Sequence, residues 1–575
     1  MLTRPVLTRN RPEARRLAAD AGLALALAGA AWLLYGSVLG LWWTHDDFHH
    51  FRFLLTHRPG WYLFDAEGFR DFPAGVFTPL LFLSLDADRR LFGLDPYLFY
   101  LHQLLAFALC PAVLYGVLRL WLRRLWAAAG AWVFLTGPVA ASLAPLLMVR
   151  HYAESILLAA MALGTWAAAL RRWPRRRAWG LAALSAALYF AASLAKEIAV
   201  PLAALLPLLP EPAGGRPVSL RERLRLALPH AAALGLYLGL RYGVLGTLLG
   251  GYGFTVAPSG LPALALAMPG KIAAELMAGR FSWAAAALCA ALAMGILALV
   301  LRDRRAAALT GLGLLLAVLP VLPVSTRMEP RYAVPAWIAL CAAFAAGGSR
   351  LGRRTGAVVV LVACAAGLWV NRQDWSHRFA RVERMSAENR ALLDMKAGDV
   401  LRQPLTLAAS LKELRWMKEN VFHRPTGERW FQDDLYLCAH PEPLGRVWGY
   451  DPGERRVVDL TSRIPVLRER HCSSIRSGAP LSASFQVSGD DLFWELGPYQ
   501  DGTYWFILGH GAEVFEMPRS AGFDAPEVPV LPLRIKYQAP EGWSTYSPEL
   551  LIEIRDGSSL RWSRPRRSRD MIRTN

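Results

Sequence analysis

Long apolar blocks alternate with short arginine-rich clusters through roughly the first two-thirds of the chain; near residue 372 the pattern gives way to shorter, mixed segments. Most of the blocks run to roughly 17–25 residues, the length an α-helix needs to cross a hydrocarbon core about 30 Å thick. They predict spans at 18–41, 97–119, 125–147, 153–170, 178–194, 197–210, 228–249, 283–301, 306–323, 333–348 and 355–371. With the N-terminus inside, the clusters Arg119/Arg123/Arg124, Arg171 to Arg177, Arg216 to Arg225, Arg302 to Arg305 and Arg350 to Arg354 all fall on the cytoplasmic side, as positive-inside loops do. This count of about 11 spans is odd, so residues 372–575 are expected outside.

The same alternation decides two blocks. Residues 178–210 are short for two spans and long for one, but the flanking basic clusters require an even number of crossings, which favours a hairpin. Leu261 to Ala278 holds Pro269, Lys271 and Glu275, and counting it as a span would put Arg302 to Arg305 outside; it reads as an amphipathic helix lying on the membrane.

The first outer loop, about 42–96, is rich in aromatics (Trp61, Tyr62, Phe64, Phe69, Phe72, Phe77) and suits an interfacial segment with short helices. Residues 372–444 read as a helical connecting region, with Arg, Glu and Leu at helical spacing over 376–420. Alternating runs such as Ala483-Phe485-Val487, Tyr504-Phe506-Leu508 and Leu533-Ile535-Tyr537 predict a β-rich domain over 445–560, and 561–575 is a basic tail without regular structure. The expected fold class is therefore an all-α polytopic membrane domain at 1–371 followed by a smaller, extracytoplasmic, β-rich domain.

Composition supports this class. The chain has 575 residues, 54% of them hydrophobic, and a mean hydropathy of +0.26, too apolar for an ordinary soluble domain. The net charge of +19 comes from the inter-block clusters; no basic stripe interleaves with aromatics, so nucleic-acid binding is excluded as a reading. Four of six cysteines, Cys110, Cys289, Cys341 and Cys364, lie in apolar segments and read as small hydrophobes. Cys438 and Cys472 lie in the polar C-terminal third and are disulfide candidates if it faces an oxidising compartment; two separate buried thiols are the alternative. The basic N-terminus and its long apolar run, without a clear cleavage site, read as an uncleaved first span.

Charged residues near span ends sort by side. Asp46-Asp47, Arg150-His151 with Glu154, Lys196-Glu197, and Arg327-Glu329-Arg331 with Tyr332 all fall on the outer face, each beside apolar sequence. Four unrelated water-exposed turns are the ordinary alternative to a shared polar cavity. Half-buried charges need partners, and four charged turns on one face favour the cavity.

These residues resemble those of the GT-C class of membrane glycosyltransferases, which includes protein O-mannosyltransferases and lipid A aminoarabinose transferases. The matching features are Asp46-Asp47 after the first span, Phe77-Thr78-Pro79-Leu80 and Phe92-Gly93-Leu94 in the first loop, Ala195-Lys196-Glu197 at an outer turn, and Arg331-Tyr332-Ala333-Val334-Pro335 entering a late span. They cover roughly 18–371, with Asp-Asp where many relatives carry Asp-Glu. The resemblance implies a polyprenyl-phosphate-linked sugar donor held among membrane lipids and a glycan, lipid or protein acceptor. It also implies transfer at the outer face, inverting at the anomeric carbon, in the setting of a bacterial inner membrane and envelope glycan biosynthesis. Asp46 would be the base that takes the acceptor's proton, and Asp47 would position it or the acceptor. Lys196 and Arg331 would hold the phosphate, with Arg327 and Arg150 behind them, and Glu197 would hold Lys196.

Other readings stay open. His45, Asp46, Asp47, His49 and His50 are residue types that bind a divalent metal; on a helix His45 and His49 share a face, as do Asp46 and His50. No other cofactor is indicated. Trp494, Tyr499, Tyr504, Trp505, Trp543 and Tyr546 are either core aromatics or a sugar-stacking surface. A transporter or flippase of a lipid-linked or anionic solute, and a non-catalytic envelope glycan assembly protein, are the rival functions. A transporter would place its charges near the midplane rather than at one face.

Overall fold

The computed structural model describes residues 11–44, 46–58, 61–72, 76–212, 216–248, 261–276, 282–324, 329–393, 395, 397–402, 408–424, 426–432, 437–438, 445–451, 453–454, 456–488, 491–508, 513–524, 530–553 and 559–563. The chain divides into two compact units, Met1–Glu383 and Arg384–Asn575.

The first unit is helical. Its helices are α1 (Arg11–Tyr35), α2 (Asp47–Thr56), α3 (Ala66–Asp71), α4 (Pro79–Phe92), α5 (Pro96–Leu118), α6 (Arg124–Leu135), α7 (Pro138–Leu143), α8 (Arg150–Arg172), α9 (Arg176–Ala195), α10 (Leu202–Leu205), α11 (Leu220–Leu226), α12 (Leu228–Leu245), α13 (Leu261–Leu276), α14 (Trp283–Arg302), α15 (Arg304–Val318), α16 (Val334–Gly348) and α17 (Arg353–Leu393). Among the described residues, seven helices are long and apolar enough to cross a membrane: Arg15–Gly40, Pro96–Leu118, Leu147–Arg172, Arg176–Ala195, Trp283–Arg302, Arg304–Leu322 and Arg353–Leu393.

The other four predicted spans fall on shorter, interrupted or less apolar helices. Block 125–147 breaks between α6 and α7 at Thr136-Gly137-Pro138, where Pro138 has no N–H to continue the ladder. Gly137 lets the break sit against Trp337, since a Cβ there would collide with the indole ring. Block 197–210 holds Pro201 and Pro207 and splits into the 3-10 turn Glu197–Ala199, α10 and the 3-10 turn Leu206–Leu208. Block 228–249 is α12, whose apolar run is interrupted by His230 and Arg241, and 333–348 is the 15-residue α16. Span 355–371 continues without a break into the helix predicted from 376, giving α17 41 residues and a length of about 60 Å.

The second unit contains two sheet structures. The first has strand order β2-β1-β3-β4, with β1 (Ala397–Arg402) parallel to β2 (Gly427–Gln432) and β3 (Val447–Asp451), and β4 (Arg456–Asp459) antiparallel to β3. Helix α18 (Ala408–Asn420) links the parallel strands β1 and β2. Two strands therefore lie inside the region 372–444 expected to be helical. A six-residue strand such as β1, buried over residues 398–401, carries no alternation to announce it. Cys438 and Cys472 are joined by a disulfide with a Cα–Cα distance of 5.4 Å.

The second structure is a β-sandwich. One sheet runs β13 (Ser559–Ser563), β5 (Ser482–Ser488), β6 (Asp491–Gly497), β9 (Ser520–Asp524); the other runs β11 (Ser544–Tyr546), β10 (Val530–Gln538), β7 (Thr503–Leu508), β8 (Glu513–Met517), with β12 (Leu550–Glu553) also pairing β10. Alternate residues of both sheets (Ala483, Phe485, Leu492, Trp494, Tyr504, Phe506, Ile535, Tyr537) face inward and form one core, with Phe506 touching Phe485 and Trp494 across the sandwich. Trp494, Tyr504 and Tyr546, candidates for sugar stacking, are buried, and Tyr499 and Trp543 pack against the core.

Candidate active site

Four segments of the first unit meet where α1 and α9 end and where α8 and α16 begin. Helix α2 packs on the turn Leu147–Val149 that leads into α8; the turn after Lys196 packs on α8 and α16; the turn Pro330–Ala333 packs on α7 and α16.

The acidic pair opens α2. Asp47 Oδ2 accepts from the Thr44 amide at 2.8 Å and its own amide donates to Thr44 O at 3.0 Å, closing a tight turn whose carboxyl points inward. Asp47 is 2% exposed. Burial pushes its carboxyl up to about 8, against the pull of the Thr44 amide; the Asp46 charge adds to the rise, and the Met148 amide and Arg150 oppose it. Burial thus favours the neutral form of Asp47, and Asp46, half-buried at the N-cap position of α2, is the more exposed of the pair.

The Asp46 carbonyl accepts from His50 Nδ1 at 2.7 Å. A carbonyl can only accept, so the proton is on Nδ1, and Nε2 is left as an acceptor. The ring lies against Phe72 and Phe82, and burial holds the imidazole below its usual range.

Lys196, 3% exposed, is the C-cap residue of α9. Its Nζ pairs with Glu197 Oε1 at 2.7 Å and lies 5.3 Å from the Tyr152 ring centroid. Arg331 pairs with Glu329 through both guanidinium arms, at 2.5 and 3.0 Å, and stacks over Tyr332 at 5.1 Å. The buried His151 ring, at the start of α8, is within electrostatic reach of Lys196, His50 and Arg331.

The structure brings together Asp46, Asp47, His50, Lys196 with Glu197, and Arg331 with Tyr332. Arg150, expected as a reserve phosphate ligand, has other partners. It is wholly buried and donates to Asp88, to Ser84 Oγ at 3.3 Å and to Phe99 O at 2.8 Å. Asp88 in turn accepts from His102 Nδ1 at 2.8 Å. Arg327 and His45 lie outside the described residues. Among the described residues no three His, Cys, Asp or Glu side chains form a group that could hold a metal ion. His50 meets Asp46 through the backbone carbonyl rather than the carboxylate.

Sequence reading missed Asp88, Ser84, His102 and Tyr152. The available signal was in α4, where Leu81, Ser84, Leu85 and Asp88 follow one helical face and a serine and an aspartate interrupt its apolar stripe.

No protein-family model matches this sequence, and no curated protein matches it significantly. Among solved structures, the chain is similar to the oligosaccharyltransferase of Archaeoglobus fulgidus tethered to an acceptor peptide containing the NVT sequon, at 12% identity and TM-score 0.39 over 70% of this chain. It spans about 64% of that protein's length. A second crystal structure of that oligosaccharyltransferase, with zinc and sulfate, gives 12% identity and TM-score 0.40 over 81% of this chain and 72% of the other. The apo structure of ArnT from Cupriavidus metallidurans gives 14% identity and TM-score 0.42 over 75% of this chain and 93% of the other. At this level of similarity no residue role or activity passes to this chain.

Proposed function

We propose that this protein is an integral membrane glycosyltransferase. It moves a sugar from a polyprenyl-phosphate donor to a glycan, lipid or protein acceptor at the outer face of the membrane. One observation carries the reading: an acidic pair and two cations, from segments up to about 285 residues apart, lie on elements that pack around the start of α8, where the buried His151 ring is within electrostatic reach of both cations.

The chemistry suits that arrangement. The acceptor oxygen attacks the anomeric carbon and loses its proton to the Asp46 carboxylate, while the bond to the phosphate oxygen breaks with its electron pair leaving on phosphate. Backside attack inverts the centre. Phosphate leaves as an anion, so it needs fixed cations rather than an acid, and Lys196 and Arg331 supply them. Arginine's planar fork suits a phosphate. Glu197 and Glu329 hold the two cations when no phosphate engages them. Asp47, buried and favoured in its neutral form, positions Asp46 through the turn that it closes. The Cys438–Cys472 disulfide supports an oxidising, extracytoplasmic setting for the second unit.

The test is to incubate purified protein in lipid vesicles with polyprenyl-phosphate sugars and a membrane glycan or lipid acceptor fraction. Release of polyprenyl phosphate with glycosylated acceptor is expected. Movement of the donor across the bilayer with its sugar intact would point to a flippase instead.

A further inference from the structure

Arg150 is the most enclosed charge among the described residues of the first unit, with no exposed side-chain surface, and it stands one residue before His151 and two after Met148. The Met148 backbone faces both the Asp47 carboxyl and the His151 ring. Whatever fixes Arg150 therefore fixes the segment that joins the acidic pair to the cations. Asp88 of α4 does so: it pairs with the guanidinium, and Ser84, one turn earlier on the same helix, accepts at 3.3 Å. The Phe99 carbonyl of α5 accepts from the other arm at 2.8 Å. His102, also on α5, donates to the second Asp88 oxygen at 2.8 Å, which orients the carboxylate toward Arg150. Glu154 on α8 lies within reach of the same Arg150, Asp88 and His102.

We propose that Asp88 is a positioning residue for the acidic pair, acting through Arg150 to hold the start of α8 so that Met148 backs Asp47 and His151 meets Lys196 and Arg331. A buried cation with no counter-charge is costly, and Asp88 is the carboxylate paired directly with Arg150. The pair also withholds the guanidinium from substrate, leaving phosphate to Lys196 and Arg331. The inference rests on the glycosyltransferase reading for its effect on rate, but not for the linkage of Asp88 to Asp47.

The experiment compares Asp88→Asn and Asp88→Glu in the full-length protein with two readouts. The first is turnover per folded molecule. Asp88→Asn is expected to lower kcat by about 10-fold or more, since displacement of about 1 Å near reacting groups can cost up to about 100-fold. Donor KM should stay nearly unchanged, and Asp88→Glu should recover part of the loss. The second readout is hydrogen exchange, expected to rise in residues 44–47 and 146–152 of Asp88→Asn while the rest of the bundle keeps its protection. If Asp88→Asn does not fold, Asp88→Glu decides alone, with a smaller loss of kcat and faster exchange in the same two segments. Wild-type turnover in the deciding variant, or unchanged exchange in both segments, would overturn the proposal. A wild-type protein that transfers no sugar while exchange still couples Asp88 to residues 44–47 would sink the glycosyltransferase reading and leave the linkage standing.

Discussion

Lys196 and Arg331 each sit beside a carboxylate close in sequence, Glu197 and Glu329, so neither charge is idle without substrate. Under the proposed mechanism an incoming phosphate competes for both. Lys196→Ala and Arg331→Ala should each lower kcat/KM roughly 10- to 100-fold, the scale of one charge-assisted hydrogen bond at roughly 1.5–3 kcal/mol. Part of the loss should appear in donor KM, and Arg331→Lys should recover only part because it keeps the charge and loses the fork. Steady-state kinetics check this; an unchanged donor KM in both alanine variants would contradict the phosphate role. Asp47 gives a second prediction, on stability. Its folded carboxyl titrates near 8 against an ordinary 3.8, so between those values the unfolded chain is ionised and the folded one is not. Stability should fall as pH rises through that window and level off above about 8. Asp47→Asn should remove this decline, which melting temperatures at pH 5 and pH 8 would show. Asp46, Asp47, Lys196 and Arg331 were legible in the sequence because each is a charge at the end of an apolar block. The Asp88–Arg150 pair was not: its members are 62 positions apart, and nothing local to either names the other.

Helices with an unbroken apolar run, such as α5, α9 and α14, could be read from composition, because burial in lipid demands an apolar surface over a fixed length. Breaks were harder to read. Gly137-Pro138 and Pro201 sit inside runs apolar enough to pass as spans, and the interruption depends on what packs against them, as Trp337 does on Gly137. The short strands β1 and β2 escaped for a related reason: six residues are too few for period and burial to be separated. The β-rich character of the sandwich region was legible because runs such as Ala483-Phe485-Val487 and Leu533-Ile535-Tyr537 place apolar residues at every second position. In the second unit the Cys438–Cys472 disulfide closes a separation of 34 residues. Replacing both cysteines by serine should cost this unit roughly 2–4 kcal/mol by freeing the unfolded chain. Faster limited proteolysis of residues 437–472 would be the sign, and indistinguishable digestion would show that the link contributes little.

For the whole molecule, the proposed mechanism requires the acidic pair on the outer side of the membrane. The arginine clusters argue for that side, and α17 carries the chain from one region to the other as a single helix. An alkaline-phosphatase-type reporter fused after Asn371 should be active, whereas a reporter active only in the cytoplasm would reverse the side of every site residue. The central claim is that Asp46 takes the acceptor's proton during sugar transfer. Its most direct measurement is turnover of purified wild-type and Asp46→Asn protein in lipid vesicles, alongside binding of the same polyprenyl-phosphate sugar. The predicted result is unchanged donor binding with turnover lowered by about 100-fold or more, the scale of general-base catalysis. Near-normal turnover by well-folded Asp46→Asn protein would contradict it.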